Sequence, residues 1–255
     1  MTNKGFILRS PTSGQALRVI TYPFEASLMR ALRFFLPLLL ALALPAHAQQ
    51  PAALPGLTEG DQYTAIEGGK PFLPQPPGKI EVVEVFAYWC PHCAHMQPKL
   101  EAWKPTLPKS VAVSYMPAAF SPDDPFMLGY FAADVAKAVP LTHARMFAAI
   151  NETGELAKNS TLDQVAAFYL HQPGVDAKAF KAALADQASM GRKMLAAREF
   201  QIRSKIPGTP SMIVDGRYLV LGNSYDSLLA NTRKVIDAIA SSRKPAGKAP
   251  TKPRS

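Results

Sequence analysis

Ile80 to Phe86 is a run of β-branched and aromatic residues that ends four residues before Cys90-Pro91-His92-Cys93, and Met96, Leu100 and Trp103 then recur at helical spacing. A strand that turns directly into a helix at a pair of thiols restricts the chain to α/β architectures in which a strand end meets a helix start. The two cysteines are the only ones in 255 residues, so neither has another partner for a structural cross-link. Closing so short a loop removes little chain entropy, and the pair therefore reads as a reversible redox centre rather than a staple. Cys90 falls at or just before the helix start. Backbone N–H groups and the positive end of the helix dipole stabilise a thiolate there, and a protonated His92 imidazole would add to this. Cys90 is accordingly expected to be the exposed nucleophile with a lowered pKa, and Cys93, one turn further on, the shielded resolving thiol. Pro91 and His92 are the middle pair that tunes the thiolate, and whatever stabilises the reduced form makes the disulfide a stronger oxidant.

Val111 to Met116, with Val111, Val113 and Tyr115 alternating, predicts a second strand, parallel to the first through a right-handed crossover. Pro98 predicts a kink in the helix between them. Gln49 to Pro77 is rich in proline and glycine and is expected to wrap the domain, with one edge strand around Asp61 to Ile66. From Pro122 to about Ile202 the pattern is helical only. Met127, Phe131, Val135 and Val139 recur at four-residue steps, Met146, Phe147 and Ile150 follow, and Thr161 with Gln164 forms a capping box ahead of Val165, Phe168 and Tyr169. Asp176 is read as the cap of another helix, with Phe180, Leu184, Ala188, Gly191, Leu195 and Ile202 on one side. Ser211–Val214 and Tyr218–Leu221 flank Asp215-Gly216, a strong hairpin signal, and 226–240 closes the chain as a helix. The expected class is α/β, with residues 49–121 and 203–240 forming one domain and 122–202 an inserted all-helical domain.

The amino terminus reads as an address rather than as fold. Met29-Arg30-Ala31-Leu32-Arg33 is a basic start, Phe34 to Leu44 an apolar stretch too short to span a bilayer, and Ala46-His47-Ala48 a cleavage site. Residues 1–28 precede a credible start at Met29, and the mature chain is expected to begin at Gln49. Export would place the dithiol in the periplasm, an oxidising compartment. The formal charge of +9 misdescribes the body: four of the excess positive charges lie in residues 1–48 and five in 241–255, leaving 49–240 neutral. That removes the case for nucleic acid. The tail, rich in proline, lysine and alanine, reads as a disordered basic end, with a weak attraction to anionic lipid headgroups as the alternative.

Three features together resemble the DsbA family of periplasmic thiol:disulfide oxidoreductases: the Phe86-x-x-x-Cys90-Pro91-His92-Cys93 run after a strand, Glu84 six residues before Cys90, and Gly208-Thr209-Pro210 near the far end. The resemblance covers roughly Gln49 to Ala240. It implies a thioredoxin-like fold interrupted by a helical domain, with a cis-proline loop at Thr209-Pro210 facing the dithiol. Thr209 backbone groups would pair there with an extended substrate peptide. Glu84, a costly residue on an interior strand, would sit beneath the dithiol and accept or relay the proton of the second cysteine. The implied protein is a monomeric dithiol oxidase without a bound cofactor. Its substrates would be reduced, unfolded exported polypeptides, and a quinone-linked membrane protein of the DsbB type would reoxidise it. Two departures stand out. No lysine or arginine occupies Ala112 to Met116, where some relatives carry one, and Thr209 stands where enterobacterial oxidases have valine and isomerases often have threonine.

Other readings stay open at this level. One is an isomerase or reductase on the same fold, although the stretch before Ile80 is short for the amino-terminal dimerisation domain of such isomerases. A second is a metal carrier using Cys90, His92, Cys93 and His95, four ligands crowded across a helix start. A third is a holdase with a vestigial dithiol. Tyr88, Trp89, Met116, Phe120 and Met212 are candidates for an apolar rim that receives unfolded chains, with core positions as the plainer reading. His95 reads as solvent-facing, and His143 and His171 have no partner visible in the sequence.

Overall fold

The run Ile80–Phe86 forms the middle of the sheet, and all seven of its residues are buried, as an uninterrupted apolar stretch in a strand covered on both faces requires. The computed structural model describes residues 51–243. Residues 1–50, where the expected signal region with Met29 and the Ala46-His47-Ala48 site falls, and tail residues 244–255 lie outside the described residues. Five strands, β1 (Tyr63–Ala65), β2 (Ile80–Phe86), β3 (Val111–Pro117), β4 (Ser211–Val214) and β5 (Tyr218–Val220), assemble in the order β1-β5-β4-β2-β3. β2 runs parallel to β3 and antiparallel to β4. The hairpin joining β4 to β5 turns through Asp215 and Gly216 at φ 55° and 63°, the left-handed pair that matches strand twist. A Cβ on Gly216 would fall 1.9 Å from the Lys70 carbonyl oxygen, so the turn also excludes a side chain.

Among the described residues seven α-helices accompany the sheet: α1 (Pro91–Trp103), α2 (Pro125–Val135), α3 (Val139–Asn151), α4 (Leu162–His171), α5 (Ala177–Ala185), α6 (Gln187–Arg203) and α7 (Tyr225–Arg243). α1 continues through Pro98 and passes into a short 3₁₀ turn at Lys104–Thr106. Met96 and Leu100 of α1 and Leu229, Val235 and Ile236 of α7 pack with Ile80, Val82 and Val214. α2 to α6 are inserted between β3 and β4, and their Phe126, Tyr130, Phe147, Tyr169 and Phe200 share a core cluster with Val83, Val85 and Phe86 of the sheet. Among the described residues no helix is long and apolar enough to cross a membrane.

Local signals within the insert behave as side-chain chemistry dictates. The Thr161–Gln164 box forms reciprocally, and the Asp176 carboxylate accepts the backbone N–H groups of Lys178 and Ala179. Two periodicities are corrected. The four-residue series through Val135 and Val139 is broken by Lys137 at φ 56°, which ends α2, and Val135 is left exposed. The helix opened by Asp176 stops at Asp186, whose carboxylate accepts the Ser189 N–H and starts α6 afresh. The break resets the phase, so Met190, Ala197 and Phe200 face the core, while Leu195 and Ile202 are 57% and 65% exposed.

Candidate active site

The end of β2 delivers Cys90 to the N-cap of α1, with Pro91 in the first helical position, where its missing N–H costs nothing. Cys90 and Cys93 are unbonded thiols. The Cys90 thiol is pushed down to about 5. The largest cause is the hydrogen bond it receives from Cys93, with further help from the Thr209 side chain and the backbone N–H groups of Cys93 and His92, all against the opposing effect of burial. Cys93 moves far the other way: it gives its proton toward Cys90, it is fully buried, and the charge on Cys90 disfavours a second anion. The arrangement holds one proton and one negative charge between two sulfurs, with the charge on Cys90. The exposure expected of Cys90 needs correction, because only 6% of the residue reaches solvent. The loop at Thr209 covers it.

Glu84 occupies the centre of β2, opposite Tyr115 of β3 and Met212 of β4. It is fully buried, and neither carboxylate oxygen has a hydrogen-bond partner. Burial is the main reason its carboxyl is pushed up to about 8; the nearby Glu101 charge adds to this and Lys104 opposes it. Three residues earlier on the same strand, Glu81 is just as buried but accepts the N–H groups of Phe72 and Leu73 and the amide of Gln75. Two carboxyls on one strand thus have different chemistry: Glu81 is a tied structural acceptor, and Glu84 is a bare acid that is protonated at neutral pH.

Thr209-Pro210 is a cis peptide. The Cys90 Sγ lies 3.4 Å from the Thr209 carbonyl oxygen, and the Ser211 hydroxyl fastens the loop by donating to the Gly208 carbonyl at 2.7 Å. Ser211 begins β4 opposite Val85, which places this loop at the same end of the sheet as the dithiol. The His92 imidazole lies against the hydroxyl of Tyr225, with its Nδ1 3.1 Å away, and it is the His92 backbone N–H that reaches the Cys90 sulfur.

A thioredoxin family model matches residues 69–237 of this chain. The thiol:disulfide interchange protein DsbA of Bordetella parapertussis is 33% identical over 207 residues, 76% of this chain and 94% of that protein. The chain belongs to the DsbA family. The DsbA of Azotobacter vinelandii is 34% identical over 181 residues, covering 71% and 80% of the two chains. The crystal structure of the DsbA oxidoreductase from Xylella fastidiosa aligns with a TM-score of 0.65 at 38% identity, over 74% of this chain and 98% of that one. As a DsbA-family member the chain is a protein disulfide oxidoreductase with a thioredoxin fold that carries an inserted helical domain.

Within this DsbA-type site the structure adds residues that the sequence did not single out. Tyr115 donates to Glu101 Oε1, and Lys104 Nζ lies 3.0 Å from the Tyr115 hydroxyl and 2.9 Å from Glu101. The cation missing from β3 is therefore supplied beside Glu84 from the 3₁₀ turn after α1. The spacing of Glu101 and Lys104 was a visible sign of a pair, but nothing in the sequence tied it to Tyr115. His143 is partnered by the Tyr88 hydroxyl at 2.8 Å, and burial pushes its imidazole down to about 3. The proposed rim shrinks to Trp89 and Phe120, because Tyr88, Met116 and Met212 are core, the two methionines lying on interior strands. Among the described residues, no three His, Cys, Asp or Glu side chains are grouped to hold a metal ion.

Proposed function

We propose that this protein is a monomeric periplasmic dithiol oxidase that donates a Cys90–Cys93 disulfide to reduced, unfolded exported polypeptides. The observation that carries the reading is the opposite displacement of the two thiols, Cys90 down to about 5 and Cys93 upward. A disulfide whose nucleophilic cysteine is stabilised as a thiolate gives up its oxidised state readily.

A substrate thiolate attacks the Cys90 sulfur. The Cys90–Cys93 bond breaks, its electron pair goes to Cys93, and a mixed disulfide joins the substrate to Cys90. Cys93 must then take a proton, because burial strongly disfavours its thiolate. Glu84, protonated at neutral pH and without another partner, is the donor, and it regains its proton from solvent. A second substrate thiolate attacks the substrate sulfur of the mixed disulfide, the substrate leaves with its own disulfide, and Cys90 departs as a thiolate. The enzyme has gained two electrons and the substrate has lost two. Thr209 and Pro210 hold the extended substrate beside Cys90 through backbone pairing, and Pro91 and His92 shape the helix start that stabilises the leaving thiolate. Reoxidation passes the two electrons to a quinone-linked membrane protein of the DsbB type.

The test is the equilibrium redox potential of the Cys90/Cys93 couple against glutathione, followed by tryptophan fluorescence. A value near the oxidising end characteristic of DsbA, about −120 mV, is expected. A value near that of thioredoxin, about −270 mV, would instead make the protein a reductase.

A further inference from the structure

The last helix begins at a tightly fixed corner. Gly222 packs so closely on the coming turn that a Cβ there would fall 2.6 Å from the Leu228 nitrogen. Ser224 and Ser227 bond reciprocally in the manner of a capping box, the Ser224 N–H donating to Ser227 Oγ at 3.0 Å and the Ser227 N–H to Ser224 Oγ at 3.1 Å. α7 therefore starts in one place, and Tyr225 is its first residue. The Tyr225 side chain packs against the core cluster that includes Met96 and Leu229.

Two residues of α1 reach this corner. His92 and Lys99 are seven apart, about two turns, and so share one face of the helix. The His92 Nδ1 lies 3.1 Å from the Tyr225 hydroxyl, and Lys99 Nζ lies 2.8 Å from the Asp226 carboxylate. The ion pair is exposed at both ends and adds little to stability. A tyrosine with a packed ring and a hydroxyl near solvent is ordinary too. What is not ordinary is the partner of that hydroxyl, because His92 stands between the two thiols.

The sequence places the His92 imidazole at the Cys90 thiolate. In the structure the sulfur is served instead by the Cys93 thiol, by Thr209, and by the backbone N–H groups of Cys93 and His92. Among the described residues the one hydrogen bond of the His92 ring goes to Tyr225. A phenol hydroxyl suits either form of the ring, donating to a bare Nδ1 or accepting from a protonated one. The tether therefore does not depend on the charge of the imidazole. An imidazole free to turn toward Cys90 would give the thiolate a further hydrogen bond, of the strong kind made to an ionised acceptor.

We propose that Tyr225 is a positioning residue for His92: its hydroxyl holds the imidazole against α7 and away from the Cys90 sulfur, and so moderates the oxidising strength of the Cys90–Cys93 couple. This rests on the redox reading of the dithiol above. The test is Tyr225→Phe, which keeps the packed ring and removes only the hydroxyl. The released imidazole stabilises the thiolate, so the equilibrium with glutathione should move about tenfold toward reduced enzyme. The Cys90 thiolate absorbance should also titrate at lower pH than in the wild type. In a His92→Ala background the same substitution should move neither quantity, because the residue through which Tyr225 acts is gone. An unchanged equilibrium in Tyr225→Phe overturns the proposal. A couple that becomes less oxidising overturns it as well, since the hydroxyl would then be presenting the imidazole to the sulfur. An equal shift with and without His92 would place the effect in α7 itself and also overturn it. The absolute potential of the wild type tests the disulfide donor, whereas the difference between wild type and Tyr225→Phe tests the tether, so either can fail alone.

Discussion

Cys90 Sγ lies 3.4 Å from the carbonyl oxygen of Thr209, a contact between residues separated by the whole helical insert. The Thr209 side chain adds a hydrogen bond that lowers the Cys90 pKa. Thr209→Val removes that donor and keeps the shape. The Cys90 pKa should rise, and because the reduced form is then less stabilised, the redox potential should become less oxidising. Thiolate titration and a glutathione equilibrium measure the two changes. A Cys90 pKa unchanged by the valine would deny the hydroxyl any role at the sulfur.

The reduced protein should show one thiolate absorbance near 240 nm, with a midpoint close to 5 and absent in Cys90→Ser. Cys93 should add no second step below pH 9. Cys90 is an acid depressed by folding, so its contribution to stability is fully present above the ordinary thiol value of 9.0 and is lost as pH falls through about 5. The stability of the reduced protein relative to the oxidised one should therefore grow as pH rises from about 5 to about 9. Denaturant midpoints of both forms across that window test the sign.

Glu84 works in the opposite sense. Its folded-state pKa is raised, so between the ordinary value of 4.5 and about 8 the unfolded chain releases a proton that the native protein keeps. Stability of the oxidised protein should fall with pH across that window, with a slope approaching about 1.4 kcal/mol per pH unit. Glu84→Leu should flatten the slope and raise stability at neutral pH, since it replaces a bare buried acid with an apolar side chain. The same variant should slow peptide oxidation by about tenfold or more, because Cys93 loses its proton donor. A variant that is neither more stable nor slower would mean that Glu84 has partners other than those seen.

Lys104 and Glu101 should shift that profile in opposite directions. Lys104→Met removes the cation that favours ionised Glu84 and should move the pH-dependent loss of stability upward. Glu101→Gln removes a like charge and should move it downward. Unfolding curves of the oxidised variants at several pH values separate the two, and shifts of the same sign would break the electrostatic account.

What the sequence revealed and what it hid divide along physical lines. Cys90 and Cys93 lie in one short run at a strand-to-helix turn, so local pattern was enough to find them, while Glu84 stood out locally only as a costly acid on an interior strand and took its role from family resemblance. Thr209 and Pro210 were found through family resemblance, because no local rule carries the chain from there back to Cys90. Tyr115, Glu101 and Lys104 converge from a strand, a helix and a 3₁₀ turn, and only packing brings them to Glu84. The face of α6 was misjudged because Asp186 serves as the end of one helix and the cap of the next. A reset of phase by one capping residue reverses which side chains face the core without changing the helical content.

Asp124 joins the helical insert to the site. Its Oδ1 accepts the N–H groups of Phe126 and Met127 at the start of α2, and its Oδ2 accepts the Trp89 indole N–H at 3.4 Å. Loss of an N-cap of this kind costs about 1 kcal/mol, and the long indole contact adds little to that. Asp124→Ala should therefore lower stability by about 1 kcal/mol while freeing Trp89 beside Cys90. Because Trp89 directly precedes Cys90 and packs on the exposed Phe120, its release should change the tryptophan fluorescence of the folded protein and weaken peptide oxidation more than oxidation of a small dithiol. Equal losses on both substrates would mean that Asp124 acts on the dithiol itself, and an unchanged emission spectrum would mean that the indole contact does not hold Trp89 in place.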